Sequence, residues 1–167
     1  YKILLGLNFF IFSISVSALK YTIYTDEPNG KKANEIALEM KKTYPFSILN
    51  VQFEIIQVKP QELDCQNAYG IDRLIQCQNL NYFSEDAAKR GSDQAMIVKH
   101  NNKYGGGASN GGIPVITTET PARVMIHEYL HVLGLCDQYE YNRKEADIYC
   151  PNEIGNTPNS VFIEPIK

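Results

Sequence analysis

Four side chains between positions 127 and 137 have the chemistry for metal-assisted hydrolysis: His127, Glu128, His131 and Asp137. Residues four apart on a helix differ by about 40° around the axis and about 6 Å along it. Two imidazoles at that spacing reach one ion from one face. Glu128 stands about 100° from His127, beside the ligands, where a proton-handling carboxylate belongs. A catalytic zinc takes three protein ligands and keeps a position for water. Gly134 is suited to end the helix and turn the chain back, so that the Asp137 carboxylate approaches the same ion. The pattern H-E-x-x-H-x-x-G-x-x-D predicts one catalytic Zn2+ on His127, His131 and Asp137, with Glu128 as general base. Glu140, Glu145 and Asp147 are rival third ligands; Asp137 is preferred because the glycine turn accounts for its reach. The bland alternative is two helix histidines, a surface glutamate, a cap glycine and a turn aspartate.

The elements that must hold these residues can be read upstream. Thr120 as N-cap and Pro121 at the first helical position predict a helix from Ala122 to Leu133. Tyr21–Thr25 reads as a strand, closed by the Asp26–Gly30 turn. Ala33, Ile36, Ala37 and Met40 recur at helical spacing over Lys31–Thr43, and Pro45 stops that helix. Lys31, Lys32, Lys41 and Lys42 form its solvated face. Val51–Val58 alternates as a strand with Val51, Phe53 and Ile55 on one side. A strand, a helix and a strand predict a right-handed crossover and a parallel pair. Pro60–Tyr82 reads as irregular. Ser84 suits the N-cap of a short helix over Glu85–Arg90, with Gly91 following it. Ala95–Val98 reads as a buried central strand, and His100 beyond it as a surface residue. The glycine tract from Gly105 to Gly112 leads into a strand and lacks a Lys-Ser/Thr signature, which excludes a phosphate loop. It is expected to be a flexible loop beside an exposed edge strand, Ile113–Thr118.

A chain of 167 residues with 21% charged and 44% hydrophobic residues suits one globular domain. A net charge of -3 excludes a basic nucleic-acid face. Lys2, the apolar run Ile3–Val16 and the small-x-small site Val16-Ser17-Ala18 read as a signal peptide over residues 1–18. Residues 19–167 then form the single domain of a secreted protein, extracellular or periplasmic, with no membrane partner once the signal is removed. In an oxidising compartment, Cys65, Cys77, Cys136 and Cys150 are expected to form two disulfides. Three pairings exist, and clustering favours Cys65–Cys77 with Cys136–Cys150.

The extended motif resembles that of the metzincin clan of zinc metallopeptidases, and its third-ligand aspartate resembles the snapalysin-like branch. The match runs from about Ile113 to Tyr141, and the wider order of elements from Tyr21 is similar to the clan's upper half. The resemblance implies an endopeptidase acting on a protein or peptide, and the chain is expected to be a monomer. It also implies a substrate lying antiparallel along the edge strand, on Ile113, Val115 and Thr117. One departure is clear: the clan's methionine turn has no counterpart, because Met125 is the last methionine. Val161 or Phe162 in Pro158–Phe162 would replace it. Tyr139, Tyr141 or Tyr149 could donate to the oxyanion. The expected fold is α+β with an α/β-like N-terminal part. Its mixed twisted sheet has an antiparallel edge strand, and it adds a long active-site helix and an irregular, disulfide-held C-terminal part. Two other functions fit the residues: a zinc-binding but inactive protein-binding domain, and an amidase acting on cell-wall peptides.

Overall fold

The computed structural model describes residues 18–108 and 112–135. The expected signal segment (apart from Ala18), Asp137, its rivals Glu140, Glu145 and Asp147, the three tyrosines, the expected Cys136–Cys150 pair and the Pro158–Phe162 segment lie outside the described residues.

Strand β1 (Leu19–Thr25) is the axis of the sheet. Its side chains from Tyr21 to Thr25 are all buried, as expected of a strand covered on both faces. Helix α1 (Lys31–Lys42) buries Ala33, Ile36 and Met40, and returns the chain to β2 (Val51–Gln57), which pairs parallel to β1. On β1's other side lies β5 (Gln94–Lys99), also parallel, with Ala95–Val98 buried. These elements agree with the sequence reading, because apolar residues at periods of 2 and 3.6 specify them locally.

The stretch read as irregular is instead a hairpin. Strands β3 (Cys65–Ala68) and β4 (Ile71–Cys77) pair antiparallel, and Cys65 faces Cys77 in register, bonded as a disulfide. Tyr69 and Gly70 make the turn at φ 55° and 71°. Both central residues of a type I′ turn need positive φ. A tyrosine in the first of them hides the usual sequence signal. Helix α2 (Leu80–Lys89) begins a turn before the predicted Ser84 cap, because Phe83 and Ala87 are both needed in the core. Gly91 follows it at φ 71°.

The glycine tract brings the larger correction. Gly106–Gly107 form a short strand, β6, which pairs antiparallel with β7 (Val115–Thr117) and parallel with β4 at Leu74. A Cβ at Gly105 would lie 2.6 Å from Ile75 Cγ1, and one at Gly107 would lie 2.7 Å from the Ile75 carbonyl oxygen. Here glycine permits close backbone approach rather than flexibility. The sheet order is β2-β1-β5-β7-β6-β4-β3, a mixed sheet whose antiparallel edge strand is β3. Strand β7, expected at an exposed edge, lies between β5 and β6.

Helices α1 and α3 (Ala122–Val132) cover one face of the sheet over Tyr21, Ile23, Met96 and Ile116. Helix α2 covers the other face, where Phe83 and Ala87 meet Tyr24, Ile97 and Val115. At the end of β5, Lys99 Nζ and the His100 amide both reach the buried Asp26 carboxylate, each at 2.5 Å. His100 itself is exposed. No helix among the described residues is long and apolar enough to cross a membrane.

Candidate metal and catalytic site

The back of α3 is fixed before its front can do chemistry. Met125 is fully buried, and Tyr129 packs edge-on against Tyr21 at 5.6 Å and tilted against Phe46 at 5.7 Å. The Tyr21 and Tyr129 hydroxyls lie 3.3 Å apart. Burial first, and the Tyr129 hydrogen bond second, push the Tyr21 phenol far above its ordinary pKa, so it stays neutral. Thr120 does not cap the helix. Its buried hydroxyl accepts from the Gly105 amide at 3.0 Å and donates to the Gly105 carbonyl at 2.7 Å, tying β6 to the helix entry.

On the front of α3, His127 Nε2 and His131 Nε2 lie 3.2 Å apart. Two nitrogens bound tetrahedrally to one zinc, each at 2.0–2.1 Å, would be about 3.3 Å apart. The donor pair therefore fits the ion. In the metal-free protein the same spacing suits an N–H···N hydrogen bond. The tautomer is set from behind: His131 Nδ1 lies 2.7 Å from the Leu135 carbonyl, to which Nδ1–H donates. That leaves the Nε2 lone pair facing His127.

Gly134, at φ 84°, delivers this carbonyl. The Gly134 amide bonds to His131 O and the Leu135 amide to Leu130 O, a helix-ending turn that needs a left-handed residue. The expected glycine turn is thus present, and within the described residues it serves His131.

Glu128, one position after the first histidine, is only 9% exposed. Its Oε1 lies 3.0 Å from where a Cβ would stand on Gly106, so any larger residue there would meet the carboxylate. A cleft of about 470 Å³ runs between α3 and residues of β4 and β6. His127, Glu128 and His131 lie on one wall, and Leu74, Gly106 and Gly107 on the other.

The three residues expected to bind substrate are not on this cleft. Ile113, Val115 and Thr117 are buried, and both edges of β7 are paired. Thr117 spends its hydroxyl proton on the Lys103 carbonyl at 2.7 Å. Among the described residues no group of three His, Cys, Asp or Glu side chains is placed to hold a metal. Asp137, the expected third ligand, lies beyond them.

Sequence reasoning missed the Leu135 carbonyl, the Thr120 bridge and the Gly106–Gly107 strand. A backbone acceptor leaves no residue-type signal. The three consecutive glycines did carry one, since a strand glycine marks close approach. Compared with protein-family models and with curated proteins, the chain matches none.

Proposed function

We propose that this chain is a secreted, monomeric zinc endopeptidase, with His127, His131 and Asp137 holding the ion and Glu128 acting as general base. The observation that carries the reading is the His127–His131 pair at 3.2 Å, tautomer set by Leu135, with a mostly buried carboxylate one residue away on the wall of an open cleft. A bound zinc would supply a Lewis acid for the scissile carbonyl and a water made acidic near neutral pH. Glu128 takes the water proton and passes it to the leaving amine nitrogen. Its packing against Gly106 limits where that carboxylate can stand. The peptide lies in the cleft between α3 and the β4 and β6 strands, because Ile113, Val115 and Thr117 of the β7 segment are buried and do not line it.

The test is peptide cleavage and metal content on the same preparations of the mature protein. The parent should contain one zinc and hydrolyse casein or a quenched peptide, and a chelator should abolish turnover. Glu128→Gln should keep the metal and lose about 100- to 10,000-fold in kcat, the range spanned by positioned general bases. Near-normal turnover in that variant contradicts the reading. Asp137→Ala should lower zinc content; unchanged stoichiometry moves the third ligand to Glu140, Glu145 or Asp147. Zinc binding without any hydrolysis favours the inactive binding domain, and activity confined to muropeptides favours the amidase.

A further inference from the structure

The helix that presents the histidines also presents an arginine to the same cleft. Arg123 precedes His127 by four residues and His131 by eight, so all three share one stripe of α3. Arg123 is exposed, lines the cleft, and makes no ion pair with any described residue. A second arginine, Arg73 of β4, also lines the cleft and is likewise without an ion pair among the described residues. Glu128 is the one acidic side chain among the described residues on the walls, against these two permanent cations.

Elsewhere the described arginine is neutralised. Arg90 is bonded to both Asp86 at 2.7 Å and Glu54 at 3.0 Å. The two cleft arginines therefore stand out, and a guanidinium's planar fork matches a carboxylate in two parallel hydrogen bonds. Exposed Tyr104 borders the same space and offers a ring face for the rest of a side chain.

We infer that the cleft selects peptides with an aspartate or glutamate side chain next to the scissile bond, and that Arg123 is the specificity-determining residue that binds this carboxylate. The inference rests on the hydrolase reading for its substrate class. Arg123 approaches from one helical turn before the first histidine, so the carboxylate would lie beside the reacting amide. Arg73 adds a longer-range field from the opposite wall.

The test pairs quenched peptides that differ only by Asp against Asn, or Glu against Gln, at each position flanking the cleaved bond. A free or amidated C-terminus is varied separately, so that an internal acid is distinguished from a terminal carboxylate. The parent should favour the acidic member by about 10- to 100-fold in kcat/KM, the size of a charge-assisted hydrogen bond. The preference should shrink at high salt. Arg123→Gln should bring the ratio within about threefold, and Arg123→Glu should turn the preference toward a lysine peptide. Arg73→Gln should reduce the ratio only in part.

A parent with no acidic preference, or a preference untouched in both Arg123 variants, overturns the inference. So does a preference that follows the terminal carboxylate alone. Binding of the fluorescent peptides to Glu128→Gln protein supplies a readout without turnover. Acid-selective, Arg123-dependent binding with no cleavage by the parent would sink the hydrolase reading and leave the carboxylate site standing. Cleavage without selectivity would do the reverse.

Discussion

Gly106→Ala asks whether the backbone of β6 positions Glu128, the proposed general base. The added Cβ would lie 3.0 Å from Glu128 Oε1, 3.2 Å from the Val115 carbonyl and 3.4 Å from Ile116 Cγ2. Ordinary contact begins at 3.4 Å, so the carboxylate must withdraw by 3.4 − 3.0, about 0.4 Å. The carboxylate is the far end of a side chain and yields more easily than the carbonyl. Catalytic groups need placement to about 0.5 Å, and an error of 1 Å can cost about 100-fold. Scaled to the smaller shift, kcat should fall about 5- to 10-fold, with zinc content unchanged. Stability should fall by no more than about 2.6 kcal/mol: crowding costs about 1–3 kcal/mol, while the lost glycine entropy returns about 0.4–1 kcal/mol. Gly91→Ala is the matched control. Its Cβ would meet nothing within 4 Å, but its φ is 71°, so it should lose stability without touching kcat. Steady-state kinetics and thermal melts on both variants decide the matter. Parental kcat in a folded Gly106→Ala protein would refute the claim that this contact holds the base.

Three further outcomes follow from groups away from the cleft. Asp26→Ala leaves Lys99 and the His100 amide without their buried partner; with the Asp26 side chain 2% exposed, urea titration should show a loss of about 3–5 kcal/mol. Replacing Cys65 and Cys77 together by serine opens a link of sequence separation 12, and chain entropy sets the cost at about 3 kcal/mol by denaturation. Lys20 chiefly, with Arg90, holds the Glu54 carboxyl below its ordinary pKa, and Arg90 chiefly, with Tyr24, does so for Asp86. Carboxyls lowered in the fold stabilise it fully above their ordinary pKa and lose that contribution as pH falls through the lowered value. Glu54→Gln with Asp86→Asn should therefore flatten the acid limb of a stability–pH curve and leave its shape near neutrality unchanged.

What could be read in the sequence is what neighbouring residues decide. Tyr21–Thr25, Val51–Val58 and Ala95–Val98 are strands by their own periodicity, and the ladder joins the latter two to the first as its parallel neighbours. The histidine spacing and Gly134 are equally local: the two Nε2 atoms lie 3.2 Å apart and Gly134 takes the left-handed φ of 84°, while the approach of Asp137 lies outside the described residues. Lateral order is not local. Nothing within Ile113–Thr118 says that three glycines upstream will take its outer edge, so a buried strand reads as an exposed one. The β3–β4 hairpin escaped for a related reason: Cys-Gln-Asn-Ala carries little β-propensity, and register and disulfide supply what propensity does not. Ser84 was a plausible cap, but burial of Phe83 outweighs a cap's contribution of about 1 kcal/mol.

Every described strand precedes α3 in the chain, and the surface against which Met125 and Tyr129 dock is furnished by Tyr21, Phe46, Met96 and Ile116. During vectorial synthesis, the sheet can be assembled before the two imidazoles emerge. The nascent protein thus has a stage with its scaffold present and helix α3 still to come. Until that helix arrives, a broad aromatic and aliphatic surface stays wet, which makes this interval the one most exposed to aggregation and to capture by chaperones.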